Sequence, residues 1–454
     1  MEEYEGTALT PNPIDPITGI FKIKLRADFW GDASSSVQGC NRLGDYSGGR
    51  LAVSFRWFAL LLSGAVASTL AASAQAASTR AAVLAPSIQP EIALPSPAQG
   101  AHTDSVWLAQ AGSSDLSDAQ QEALDDLLTE GQDKVEARDY AGAIALYQEA
   151  TRIDPSNARL FSGIGYLYVQ QGQYADAIAP YEQAITLEPD NLPFRYGLAF
   201  AYVRSEDYDS AIAAYEAITD LSPSATDAYL GLGNIYITLE DYDAALSTYE
   251  TLAQRAPGNA KAYEALGTLS LIREDYANAE SAFQRAVQVD DSRSAAYVGL
   301  AETQLAQGDV DGAFNNLRRA VELDREAAQA QFLLGEISME RGDVEAAYTY
   351  YRRAVDADPT LIPAQAAVGA LHLEQGVYLQ AIAAYRRVLD AFPGNPGAHY
   401  NLGLALWAEG LEKQAVVQVT SARRLYLAQE DMASVDRVDA LLELWNVDTE
   451  AEGI

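Results

Sequence analysis

The sequence predicts an all-α fold built from nine tandem pairs of helices. A small residue, Gly or Ala, recurs every 34 residues from Gly131 to Gly403 without an insertion. An alanine stands 12 residues after each of these anchors, from Ala143 to Ala415. The anchors are Gly131, Gly165, Ala199, Gly233, Gly267, Ala301, Gly335, Gly369 and Gly403. A fixed period of this length is typical of a repeat solenoid, which we place at residues 116–429.

Each unit contains the pattern of two amphipathic helices. In the fourth unit the first helix places Tyr229, Leu232 and Tyr236 on one face, and the second does the same with Ala245 and Tyr249. Apolar residues spaced by three or four are typical of helices with one buried face. A large or branched apolar residue follows each recurring alanine by four, and we expect it to fill the space beside the small anchor.

This pattern resembles the tetratricopeptide repeat (TPR), whose 34-residue period and small, aromatic and proline positions are matched across 124–429. The resemblance implies a right-handed superhelical solenoid of antiparallel helix pairs. It also implies that the first helices line a concave groove where peptides or partner helices bind. Ala199 and Ala301 replace the usual glycine, which is a mild departure.

Both ends of the array have features that predict a cover for its stacking face. Ser117 and Gln120 have the spacing of a capping box, which starts the first helix early. A helix predicted over 430–446 has an apolar stripe formed by Val435, Val438, Leu442 and Trp445. We interpret this helix as a C-terminal cap, with a partner-binding helix as the alternative. Residues 447–454 are predicted to be a disordered tail.

The N-terminal part of the sequence predicts export. Residues 1–50 have no sustained period and are predicted to be unstructured. Basic residues, a short apolar run and Ala-x-Ala steps ending near Ala76 are typical of a signal peptide over 51–77. An uncleaved membrane anchor and an ordinary buried helix are the alternatives, because residues 57–77 carry no charge. Residues 78–115 are rich in Ala, Pro and Ser and predict a flexible linker.

Composition argues against several classes of function. The net charge is −34, with 30 Lys+Arg against 64 Asp+Glu, which disfavours nucleic acids and anionic membrane surfaces as partners. One cysteine and three histidines are too few for a Cys/His zinc site or a disulfide framework. The repeats contain no phosphate-loop, zincin or serine-hydrolase motif. We therefore predict a protein without catalytic, cofactor or metal sites.

The resemblance also implies which residues face the groove. With the small anchor as position eight, the inner positions are two, five, nine, twelve and thirteen. In repeats two to four the partner-binding candidates at these positions are Arg159, Tyr166, Tyr196, Phe200, Arg204 and Asn234. Aromatic residues and arginine are common anchors of interfaces, and an Asn side chain bonds a peptide backbone in both directions. Packing of the tyrosines against the neighbouring first helix is the alternative.

Later repeats carry glutamates on the corresponding face. They are Glu264, Glu302, Glu336, Glu340 and Glu374. This acidic groove predicts a basic or amine-bearing partner, while an ordinary solvated face is the alternative.

Together these features predict a non-catalytic protein–protein interaction scaffold on the exported side of the inner membrane, in the periplasm or an equivalent lumen. The specific expectation is an adaptor for assembly or biogenesis of an envelope or membrane complex. The alternative is an accessory or regulatory subunit of an envelope polysaccharide synthesis or export system. Expected partners are proteins or peptides, not nucleic acids. Membrane attachment is expected only if residues 57–77 stay uncleaved, and self-association is compatible with the pattern.

Overall fold

The computed structural model describes residues 116–447, which form nineteen α-helices and no strand. These residues fall into two compact units, 116–368 and 369–447. The predicted all-α fold of tandem helix pairs is confirmed. None of the helices within 116–447 is long and apolar enough to cross a lipid bilayer.

The remaining sequence-based domain predictions concern other parts of the chain. The N-terminal extension (1–50), the signal peptide or anchor (51–77) and the linker (78–115) lie outside the described residues. The predicted C-terminal tail lies outside them from residue 448 onward. These four assignments stay predictions.

The helices alternate between the first and the second helix of a repeat. Those of the first unit are α1 Asp118–Glu136, α2 Tyr140–Ile153, α3 Ala158–Gln170, α4 Tyr174–Leu187, α5 Leu192–Arg204, α6 Tyr208–Leu221, α7 Thr226–Thr238, α8 Tyr242–Arg255, α9 Ala260–Ile272, α10 Tyr276–Val289, α11 Ser294–Gln307, α12 Val310–Leu323, α13 Ala328–Glu340 and α14 Val344–Ala357. The boundary between the units lies within α15 Ile362–Glu374, and the second unit continues with α16 Tyr378–Ala391, α17 Pro396–Ala408, α18 Glu412–Ala428 and α19 Met432–Leu444.

In the first unit, helices α1 to α14 pack against their neighbours in sequence. Each first helix of this range contacts the second helix of its own repeat, and each second helix from α2 to α12 contacts the first helix of the next repeat. Three pairs of consecutive first helices also contact each other: α3 with α5, α7 with α9, and α9 with α11. Side chains of these paired helices therefore lie on neighbouring surfaces.

The turn inside each repeat has a recurring local cause. In the fourth repeat, Glu240 adopts φ of 59°, which ends α7, and the side chain of Asp241 then accepts a hydrogen bond from the backbone N–H of Ala244 to begin α8. In the sixth repeat Gly308 takes the same left-handed conformation, with φ of 85°, before Asp309. The short turn makes the two helices of a repeat antiparallel.

In most repeats the core contains an aromatic ring set against a glycine, which has no side chain. A Cβ atom built on Gly233 would lie 2.2 Å from Cε1 of Tyr249, so the glycine provides the space for the ring. Tyr181 lies against both Gly165 of its own repeat and Gly197 of the next one. The expectation that the aromatic residue fills the space beside the anchor is confirmed, and the ring also joins neighbouring repeats.

The ends of the described chain are closed as the sequence predicts. The backbone N–H of Ser117 donates to Oε1 of Gln120 at 3.1 Å, and the Ser117 hydroxyl oxygen accepts from the Gln120 N–H in return. In α19, Val435, Val438 and Leu442 are buried in an apolar cluster with α17 and α18. Trp445 stacks on Trp407 with ring centroids 4.0 Å apart. The apolar stripe is thus used within the chain, which confirms the capping helix.

Candidate functional site

The candidate site is the surface of α3, α5 and α7 that carries the six predicted partner-binding residues. We call it the first-helix face of repeats two to four. Helix α3 provides Arg159 and Tyr166, helix α5 provides Tyr196, Phe200 and Arg204, and helix α7 provides Asn234. Only Arg204 is largely exposed, while the other five residues are partly buried. The surface therefore combines exposed charge with half-buried aromatic rings.

Arg204 lies over two aromatic rings and forms a local cluster with them. Its guanidinium carbon is 4.7 Å from the ring centroid of Tyr174 and 5.9 Å from that of Phe200. The two rings meet edge to face, with centroids 6.2 Å apart. A cation above aromatic faces is attracted by their quadrupoles, which holds the arginine side chain in place. We refer to Tyr174, Phe200 and Arg204 as the aromatic–arginine cluster.

The two predicted tyrosines have packing roles as well as exposed surface. Tyr196 meets the buried ring of Tyr215 in a T-shaped contact, with centroids 6.5 Å apart. Burial and the nearby Asp227 carboxylate raise the pKa of Tyr196 to about 12, because both disfavour the phenolate. Burial is the larger cause that raises the pKa of Tyr166 above its usual range, and the charge interaction with Tyr140 adds to it. Both side chains are therefore neutral at physiological pH and offer a hydroxyl beside apolar surface.

Asn234 is oriented by a buried side chain beneath it. The hydroxyl of Tyr249, which is fully buried, donates to Oδ1 of Asn234 at 2.7 Å. Asn234 occupies position nine of its repeat, and the phenol that fixes it belongs to the core of the same repeat. The amide group is thus positioned by the packing of the fold rather than by solvent.

Three of the five glutamates of the predicted acidic groove accept hydrogen bonds from neighbouring side chains. Glu264 forms a bidentate ion pair with Arg293, with N–O distances of 2.5 and 2.7 Å. The amide of Gln329 donates to Glu302 at 3.2 Å, and the hydroxyl of Tyr351 donates to Glu336 at 2.5 Å. Internal hydrogen bonds thus satisfy part of the acceptor capacity of three of the five glutamates.

The remaining two glutamates of this set are exposed and belong to different units. Glu340 is the last residue of α13 in the first unit, and Glu374 is the last residue of α15 in the second unit. The five glutamates are therefore divided between the two units, and the acidic groove that spans them stays a prediction.

Two contributors to these surfaces were not predicted. Tyr174, which completes the aromatic–arginine cluster, begins a second helix, and tyrosine recurs at that position in Tyr140, Tyr208, Tyr242 and Tyr276. That recurrence was a usable signal. Arg293, which neutralises Glu264, stands where other first helices begin with a capping asparagine, as at Asn157 and Asn259. The departure from that pattern was the only sequence signal for this ion pair.

The described residues offer no ligand set for a metal ion. Between residues 116 and 447 no cluster of three or more His, Cys, Asp and Glu side chains is arranged to hold one. What the site presents is an aromatic and amide-bearing surface with two arginines, which suits the recognition of protein side chains and backbone.

Comparison with known families covers most of the helical array. The sequence model of a tetratricopeptide repeat matches residues 128–191, 196–260, 234–297, 264–314, 298–362 and 369–426, and a second tetratricopeptide repeat model matches residues 168–218. The first model alone thus matches more than half of the chain. A search of curated proteins finds no match.

Solved structures with similar folds have low sequence identity. A tetratricopeptide repeat protein from Parabacteroides merdae is 18% identical, with a TM-score of 0.44, over 55% of this chain and 99% of that one. YrrB, described as a TPR protein with an unusual peptide-binding site, is 24% identical, with a TM-score of 0.31, over 40% of this chain and 95% of that one. The Cut9–Hcn1 hetero-tetramer of the APC/C is 16% identical, with a TM-score of 0.43, over 66% of this chain and 58% of that one. Similarity at this level carries no functional inference.

Proposed function

Since the chain belongs to the tetratricopeptide repeat family and is a protein-interaction scaffold, we propose that its first-helix face of repeats two to four binds a segment of a protein partner. The observation that carries this proposal is the aromatic–arginine cluster. Arg204 is exposed, yet it is held against Tyr174 and Phe200, so little side-chain entropy is lost when a partner binds it.

The chemistry of this face indicates the kind of segment that it binds. Arg204 and Arg159 attract a carboxylate, and Phe200 with Tyr166 offers apolar contact area. Asn234, oriented by Tyr249, lies on the next first helix for contact with a peptide backbone or amide. We therefore propose a segment that carries an apolar side chain and a carboxylate. Such a ligand differs from the basic partner that the glutamates of the later repeats predict.

The cellular role that we propose is assembly or biogenesis of an envelope or membrane complex on the exported side of the inner membrane. It is supported by the signal-peptide pattern at 51–77 and by an interaction scaffold of the TPR class following it. The TPR fold is typically a non-catalytic interaction scaffold, so the proposed role is to hold partners together. A fusion of alkaline phosphatase after residue 116 tests the location. Activity of the fusion supports export, and an inactive but stable fusion contradicts it.

Partner binding is tested by cross-linked pull-down from intact membranes with three forms of the protein. We expect wild type to recover specific envelope proteins and Phe200→Ala/Arg204→Ala to lose them. Arg255→Ala is the matched control, because Arg255 is also exposed and lies over an aromatic ring, at 5.9 Å from Tyr229, but belongs to the second helix α8. Circular dichroism must show equal helicity for all three forms.

The result separates the proposed role from its alternatives. The assembly role is supported if wild type and Arg255→Ala recover membrane-complex subunits and the double variant does not. Recovery of polysaccharide polymerases or exporters would instead favour the accessory role. If the double variant recovers the same proteins as wild type, the proposed site is wrong.

A further inference from the structure

The outer surface of the second helices carries a charge that changes sign along the array. The position lies 17 residues after the small anchor of each repeat. From repeat two to repeat seven it is occupied by Glu182, Glu216, Glu250, Gln284, Arg318 and Arg352. Three glutamates are thus followed by one neutral residue and then by two arginines. We call this series the outer charge row, and all of it lies in the first unit.

The row is on the solvent side of the second helices. In α8, Tyr249 and Leu252 are fully buried, whereas Glu250 between them is exposed. The same alternation recurs in the other five helices, and every member of the row is exposed. The outer charge row is therefore separate from the first-helix face, and its charges take no part in the proposed partner site.

Contacts within the chain leave most of the arginine charge in solvent. Arg318 and Arg352 lie 3.9 Å from Glu322 and Asp356 one turn further on, and their side chains are 57% and 60% exposed. Exposed pairs at this distance contribute little. Arg319 and Arg353, which follow directly in sequence, are also exposed and double the positive charge of this half. In the acidic half, Glu182 accepts a hydrogen bond from the hydroxyl of Tyr202, and Glu182, Glu216 and Glu250 are all exposed.

The order of charges is complementary to itself when one copy is reversed. A twofold axis at Gln284 places Glu250 of one copy opposite Arg318 of the other, and Glu216 opposite Arg352. The same 34-residue spacing separates the charges in both copies, so their order along the chain matches in this orientation. Two copies in parallel would instead face like charges. A closed twofold contact of this kind is the commonest symmetry of homo-oligomers.

We propose that two copies of this chain associate in antiparallel orientation through the outer charge row, the glutamates of repeats three and four pairing with the arginines of repeats six and seven. A different acidic partner would use only the arginine half and would leave the glutamate half without a role. The contact relies on exposed ion pairs, so salt weakens it, because the screening length falls to about 3 Å at ~1 M salt.

The test is sedimentation velocity of the full chain with two charge-reversal variants. One is Arg318→Glu/Arg352→Glu and the other is Glu216→Arg/Glu250→Arg. Each makes both halves of the row alike, so we expect the dimer dissociation constant of each to rise roughly tenfold or more, since every substitution acts twice in a twofold contact. Mixing the two variants restores opposite charges on facing surfaces, and we expect a heterodimer close to wild-type affinity.

The control is a double variant with the same change in net charge as the arginine variant. Lys261→Glu/Arg325→Glu alters net charge as much as the arginine variant does, but at exposed positions outside the row, and should dimerise like wild type. The proposal is overturned if wild type stays monomeric at about 100 μM and ~0.1 M salt. It is also overturned if the mixture fails to form a heterodimer. Loss of association in the arginine variant alone would equally overturn it and would indicate an acidic partner of another kind.

Discussion

Tyr249 shows how a single residue connects stability with the candidate site. Its ring is fully buried against Gly233, and its hydroxyl orients Asn234 on the first-helix face. Packing of the ring therefore orients the Asn234 amide, and a substitution that moves the ring also moves this candidate binding group.

Gly233→Ala should destabilise the protein by about 1–3 kcal/mol, because the new Cβ would overlap the ring of Tyr249 and force it to move. Gly258→Ala is the control, since no atom lies within 4 Å of a Cβ built there. Urea unfolding of both variants measures the difference. If the two variants have equal free energies of unfolding, the glycine is not required by the ring.

The residues with left-handed backbone in the turns predict a substitution that increases stability. Glu240 adopts φ of 59°, a conformation that strains a residue with a Cβ, whereas Gly308 holds the equivalent position in the sixth repeat. We expect Glu240→Gly to stabilise the protein by about 0.5–1 kcal/mol and Gly308→Ala to destabilise it by a similar amount. Thermal unfolding of the pair checks both signs, and a loss of stability in Glu240→Gly would contradict the strain.

The sequence predicted some side-chain contacts and not others, for a physical reason. The contact of Tyr249 with Gly233 follows from the repeat, because a small and a large residue recur at fixed spacing in every unit. The ion pair of Glu264 with Arg293 occurs once, so no period reveals it. Likewise, the candidates on the first helices were predicted as sets, but which of them are held by neighbours depends on single partners such as Tyr174 and Gln329.

At the scale of whole helices, the sequence predicted best which helices exist and in what order they follow one another. The 34-residue period fixed the pairing of helices because each unit repeats the same burial pattern. The capping helix is an instructive case, since its residues lie outside the period. The apolar stripe through Val438 still predicted it, and the structure places the helix at Met432–Leu444 rather than 430–446. The difference at its ends arises because Asp431 caps the helix and Trp445 ends it.

Weakening the packing of the capping helix should loosen the C-terminal repeat selectively. Val438→Ala removes buried apolar volume from the cluster that α19 shares with α17 and α18, and we expect a loss of about 1–3 kcal/mol. Hydrogen exchange should show faster exchange in α18 and α19 but unchanged protection in α7 and α8, because repeats contact mainly their neighbours. Leu444→Ala, at a residue that is 50% exposed, is the control. Uniform loss of protection along the chain would contradict this local role.

For the molecule as a whole, buried tyrosines in both units make stability depend on pH. Burial raises the pKa of Tyr147 to about 12 in the first unit, and burial together with Asp431 and Tyr400 raises that of Tyr426 to about 12 in the second. The Arg437 charge opposes this shift at Tyr426. In each case the folded state favours the neutral phenol more than the unfolded state does.

This linkage predicts that the protein unfolds in alkali. Below about pH 10 the phenols are protonated in both states and their contribution to stability is complete. Between about pH 10 and pH 12 the unfolded chain loses these protons while folded Tyr147 retains its own, so the free energy of unfolding falls as pH rises. Urea unfolding at a series of pH values measures the slope. Tyr147→Phe should reduce that slope and leave stability near pH 7 almost unchanged, whereas an identical slope in this variant would show that the alkaline loss has another origin.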